Sequence, residues 1–62
     1  MKVRDLIKLI EQDGWYHVRT TGSHRHFYHP VKPGTVTIPG QLGKDIPEGT
    51  RNSVMKQAGL KK

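Results

Sequence analysis

The sequence predicts an α+β fold: one helix, three antiparallel strands and a closing helix. Three observations carry that expectation. Apolar residues recur at helical spacing near the N-terminus, three short runs of β-branched and aromatic residues follow between turn signals, and a second helical pattern comes after a glycine-rich loop. Each helix has a single apolar stripe and one face of a small sheet must be covered. The compact solution therefore packs both helices side by side on one face of the sheet and leaves the other open to solvent.

In VRDLIKLIEQDGW, Val3, Leu6, Ile7 and Ile10 fall at i, i+3, i+4 and i+7, which predicts a helix over Val3 to Asp13 with Gly14 as the left-handed residue that ends it. WYHVRT, closed by Thr21-Gly22, and HRHFYH, closed by Pro30, read as two strands of a hairpin. VKPG is a turn signal, and TVTIP supplies a third strand with Val36 and Ile38 on one face before Pro39-Gly40 stops it. After the loop GQLGK, Asp45 is placed to cap the second helix with Glu48 reaching back; Ile46, Thr50, Val54 and Ala58 then share a side and Gly59 ends it, while Gly49 weakens the pattern. If Phe27 faces the helices, alternation sends His24, His26 and Tyr28 to the open face and Arg25 and His29 to the covered one. The first strand is ambiguous: Trp15 and Val18 cannot both be core residues of one regular strand, so Trp15 is expected to pack against helix one from the Gly14 turn.

At 62 residues the chain is expected to form one domain, residues 1–62, with a thin core. It has no cysteine, hence neither a disulfide framework nor a thiolate metal site. No apolar run reaches the length of a membrane span and the N-terminus lacks a secretory pattern, so the expected location is cytoplasmic, with no membrane partner. Eleven Lys and Arg against five Asp and Glu give a formal charge of +6. The basic residues are spread from Lys2 to Lys62, as on a folded charged surface, and favour a polyanion, nucleic acid first, as partner. The plainer alternative is charge that only keeps a small domain soluble.

Three of the four histidines lie in TTGSHRHFYHP. His24 and His26 stand two apart on a strand, yet no cysteine or nearby carboxylate completes a ligand set, so no metal and no cofactor are expected. Ser23 and His24 are adjacent and point to opposite faces, which argues against a serine hydrolase. His17, His26 and His29 read as surface or half-buried side chains without a chemical task. His24 differs. It follows the Gly22-Ser23 turn, whose backbone N–H groups can face an anion, close to Arg19 and Arg25. Imidazole titrates near neutrality and can take the proton of a ribose 2′-hydroxyl without a metal. The residues alone leave open a ribonuclease, a non-catalytic module that grips double-stranded RNA by shape, and a basic adaptor for an acidic protein.

DGW, GSHRHF, HP, KPGTVTIPG, KDIPEGT and KQAGL, in this order and spacing, resemble the HicA (YcfA-like) toxins of toxin-antitoxin pairs, and the likeness runs from helix one to Leu60. The resemblance implies a double-stranded-RNA-binding-like fold, an endoribonuclease (mRNA interferase) acting on messenger RNA, and a HicB-type antitoxin as inhibiting partner. It maps the family's glycine, serine and catalytic histidine onto Gly22, Ser23 and His24. Arg19, Arg25 and Lys44 are the candidates to contact RNA and stabilise charge on the phosphate. One departure stands out: many members carry a histidine after the IPG strand end, where this chain has Gln41, Leu42 and Gly43, which bears on cleavage rate or substrate preference.

Overall fold

A computed structural model describes residues 1–60, so Lys61 and Lys62 of the basic set lie outside the described residues. The order is α1 (Val3–Gln12), β1 (Tyr16–Thr21), β2 (His24–Tyr28), β3 (Val36–Ile38) and α2 (Glu48–Gln57), as the sequence predicts. The strands form one antiparallel sheet in the order β1-β2-β3. Val3, Leu6 and Ile10 of α1, Phe27, Val36 and Ile38 of the sheet, and Val54 and Ala58 at the end of α2 are buried together with Trp15 and Ile46. Helical spacing on α1 and alternation on β2 thus converge on one core, and burying these side chains is the main favourable term available to so small a chain.

The ends of α1 explain how the chain closes. No side chain caps its N-terminus; the backbone N–H groups of Val3 and Arg4 donate instead to the carbonyls of Lys44 (2.9 Å) and Leu42 (3.2 Å). Half of the four donors a helix start leaves open are thereby satisfied by the loop after β3. At the other end Gly14 takes φ +111°, a conformation closed to most L residues, and turns the chain directly into Trp15. The Trp15 ring is buried and its indole N–H donates to the Ala58 carbonyl at the end of α2 (3.3 Å). The ring locks the two helix ends together.

Two sequence expectations need correction or resolution. Asp45 does not cap α2, which begins three residues later, with Pro47 at the cap position and no side-chain capping bond. The Asp45 carboxylate pairs with Lys2 Nζ (3.2 Å), its backbone bridges Lys2, and the Ile46 N–H donates to the Met1 carbonyl (2.9 Å). Extended pairing with the N-terminal residues wins over a local capping box, and Pro47 restricts Ile46 to extended backbone in any case. The ambiguity of the first strand is resolved by a bulge between His17 and Arg19: Val18 has no partner on β2 and stays exposed, while Trp15, just before the strand, is core.

The sheet has one protected and one open edge. The Thr37 N–H of β3 points to Gln57 Oε1 of α2 (3.4 Å), whereas every residue of β1 is exposed.

Candidate functional site

His24 opens β2 directly after a two-residue turn. Thr21 and His24 are register partners, so Gly22 and Ser23 form the whole loop. Gly22 has φ +60° and Ser23 does not have positive φ, the sign pattern of a type II′ hairpin turn, whose first central position favours glycine. A Cβ on Gly22 would meet nothing within 4 Å, so the glycine is there for its backbone and the tip stands free in solvent. His24 is exposed at this tip.

Register then assigns the faces. Phe27 is buried under the helices, and its partners His17 on β1 and Val36 on β3 share its side. His24, His26 and Tyr28 therefore occupy the open side, as alternation predicts. Arg19 faces His26 across the strands and lies diagonal to His24. His26 in turn hydrogen-bonds Thr37 Oγ1 on β3 through Nδ1 (3.2 Å). His17 turns to the other side, where it bonds Thr20 Oγ1 (2.7 Å) and meets the Phe27 ring edge-on (5.6 Å).

Of the candidate RNA contacts, Gly22, Ser23, Arg19 and His24 are brought to one end and one face. Arg25 lies on the helix side, half-buried, with Nη1 donating to the Gly40 carbonyl (2.6 Å). That bond ties the tip end of the hairpin to the loop that starts at Gly40. Lys44 and Gln41 are exposed in the same loop; the Gln41 carbonyl accepts from the Lys44 N–H (3.0 Å) and the Lys44 carbonyl from Val3. The N-terminal amides of α1 are thus partly spent on the loop, and the positive charge at this end comes from side chains.

Charge is sorted along the chain in a way that matters here. From Gly14 to Lys44, the stretch that contains all three strands, there is no Asp or Glu; the five carboxylates belong to α1 and its cap, to Asp45 and to the start of α2. The whole sheet presents only Arg and His as ionisable groups besides its tyrosines. Among the described residues, no three His, Asp or Glu side chains converge as metal ligands, and no helix is long and apolar enough to cross a membrane.

At the opposite end His29 has a role that its sequence position does not announce. Its Nε2–H donates to the Asp13 carbonyl (2.7 Å), while Nδ1 accepts from the N–H groups of Val31 (3.0 Å) and Lys32 (2.9 Å). The pattern fits the tautomer with its proton on Nε2. The ring packs edge-on against Trp15 at 5.1 Å, and Lys32 Nζ bridges Asp13 Oδ2 and the Ala58 carbonyl. The hydrogen bond from Lys32 holds the Asp13 carboxyl below its ordinary pKa, against the opposing cost of desolvation. This cluster is structural: it pins the turn after β2 to the C-terminal ends of both helices.

Comparison with curated proteins finds no match. The family described as "HicA toxin of bacterial toxin-antitoxin" matches residues 3–60. That span takes in both helices, the sheet, the Gly22-Ser23-His24 tip and the Gly14–His29 corner, and the α-β-β-β-α order is that of the double-stranded-RNA-binding-like HicA fold. The chain belongs to the HicA family of toxins from toxin-antitoxin systems.

Proposed function

We propose that this toxin is a metal-independent endoribonuclease that cleaves messenger RNA with His24, in the cytoplasm, and that a HicB-type antitoxin blocks it. The observation that carries the reading is the placement of His24: an exposed imidazole at the end of a carboxylate-free sheet, directly after a tight turn and diagonal to Arg19. An anionic backbone is drawn to such a face, since no residue of the sheet itself is a carboxylate.

In the reaction His24 accepts the proton of a ribose 2′-hydroxyl as that oxygen bonds the adjacent phosphorus. The bond from phosphorus to the 5′-oxygen breaks, that oxygen takes a proton from the imidazolium or from water, and the products are a 2′,3′-cyclic phosphate and a 5′-hydroxyl. Arg19 and the backbone N–H groups of the Gly22-Ser23 turn stabilise the charge that builds on the phosphate oxygens.

Replacing His24 tests this. The side chain is exposed, so His24→Ala should fold as the unsubstituted protein does, while RNA cleavage falls by about 10²–10⁴-fold, the usual share of a general acid or base. Growth arrest on expression should vanish with it. A folded His24→Ala protein that cleaves RNA at the original rate would overturn the mechanism, and salt-sensitive RNA binding without any cleavage would leave a non-catalytic module.

A further inference from the structure

The register that sets His24 on the open face sets two aromatic rings on it as well. Tyr16 on β1 and Tyr28 on β2 are directly opposed partners, and each is exposed, by 49% and 39%. Both rings lie on the side away from the core, because their neighbours in sequence, His17 and Phe27, face the helices. Solvent-facing aromatic pairs gain little from the core, and this one is followed along β2 by His26, beside Arg19, and then by His24. From Tyr28 to His24 is four residues of strand, or about 13 Å. One face therefore carries, in order, a pair of rings, a guanidinium beside an imidazole, and the exposed histidine at the hairpin tip.

From this arrangement we infer that the open face is a base-stacking platform for single-stranded RNA, on which Tyr16 and Tyr28 hold unpaired bases and align the strand so that a phosphodiester a short run of nucleotides away reaches His24. The inference rests on the ribonuclease reading for the cleavage step and narrows its substrate to unpaired RNA. Charge complementarity favours a nucleic acid as the occupant: the platform lies wholly within the stretch that lacks Asp and Glu. Aromatic side chains stack on any base, whereas an A-form duplex hides its bases and offers phosphates and 2′-hydroxyls to polar groups. Tyrosine pairs on a sheet suit the first kind of ligand. Arg19, between the rings and His24, is placed to follow the strand's phosphates or to stack in its turn.

The test measures affinity and cleavage separately. Affinity is read on the His24→Ala protein with a fluorescein-labelled single-stranded RNA of mixed sequence and with the same strand annealed to its complement. Cleavage is read on the protein that retains His24. Tyr16→Ala and Tyr28→Ala should each weaken single-strand binding by about 5- to 150-fold, the range that corresponds to losing one stacked base. Tyr16→Phe and Tyr28→Phe, which keep the ring, should bind as the parent does, and annealing the complement should weaken binding to the parent. Because the rings are half exposed and paired across the strands, the phenylalanine variants should melt near the parent and the alanine variants a few degrees lower, so binding is compared at a temperature at which all four are folded. Unchanged affinity in both alanine variants overturns the platform. So does binding of the duplex as tight as that of the single strand. Absence of cleavage by the protein with His24 intact overturns the ribonuclease reading, and the affinity arm still decides the platform.

Discussion

Replacing Gly14 by alanine probes the corner on which the fold turns. The residue sits at φ +111°, and a Cβ built on it would lie 2.7 Å from His29 Nε2, closer than real Cβ contacts come. A non-glycine residue in a left-handed conformation costs about 1–2 kcal/mol. Displacing the imidazole also forfeits its bond to the Asp13 carbonyl and those from the Val31 and Lys32 N–H groups, at about 0.5–1.5 kcal/mol each. Together these terms come to about 2.5–6.5 kcal/mol, against a total stability of about 3–9 kcal/mol for a chain of 62 residues. Gly14→Ala should thus be largely unfolded or melt at least about 10 °C lower. Gly22→Ala is the control: its φ is +60° but its Cβ would meet nothing, so only the backbone term of about 1–2 kcal/mol applies. Urea titrations followed by the fluorescence of Trp15, the sole tryptophan, whose ring packs on His29 at 5.1 Å, compare the two directly. Equal losses in both variants would refute the reasoning, since the imidazole contact would then contribute nothing beyond the backbone preference.

Two further predictions concern charge. The folded Asp13 carboxyl ionises below its ordinary value of 3.8, so its pairing with Lys32 stabilises the fold fully above that pH and the contribution is lost as pH falls through the lowered value; urea titrations should show Asp13→Asn less stable than the parent near neutrality and the gap closing in acid, and a constant gap would deny the linkage. Arg25→Ala removes a charged donor from the Gly40 carbonyl and should cost about 1.5–3 kcal/mol of stability, whereas exchanging the exposed Lys44 for alanine should leave stability unchanged and lower the slope of log affinity for RNA against log salt by about one if it meets a phosphate. Equal stability of the two variants would show that the Arg25 bond is not a strut.

Much of the fold is legible in local pattern. The spacing of Val3, Leu6 and Ile10 marks α1, and the position of Phe27 within HRHFYH assigns both faces of β2. What fails to show are features decided between distant segments. Asp45 followed by Glu48 satisfies the local form of a capping box, yet Lys2 and Met1, more than forty residues earlier, claim that segment for extended pairing. The parity of β1 cannot be read from Trp15 and Val18 because a bulge breaks it, and with it goes sight of Tyr16 as the partner of Tyr28. His29 looks like a surface histidine until the chain reversal brings Asp13 and Trp15 to it. The candidate site fares better: Gly22, Ser23 and His24 are consecutive, so the turn that displays the imidazole is written in three adjacent letters. Arg25, its neighbour in sequence, faces the other way and serves the Gly40 loop.

The exposure of β1 along its whole length bears on how this molecule comes apart. Its strand-to-strand bonds run only to β2, across a two-residue turn, so the hairpin is a unit of very low contact order that can close in about 1–10 μs before either helix docks. Trp15 anchors its near end in the core and Arg25 ties β2 to the Gly40 carbonyl near the far end, while the Gly22-Ser23 loop itself stands free. The exposed β1 strand and the Gly22-Ser23 loop are therefore where local opening costs least, while β2, which carries His24, stays paired with β3 and held through Arg25.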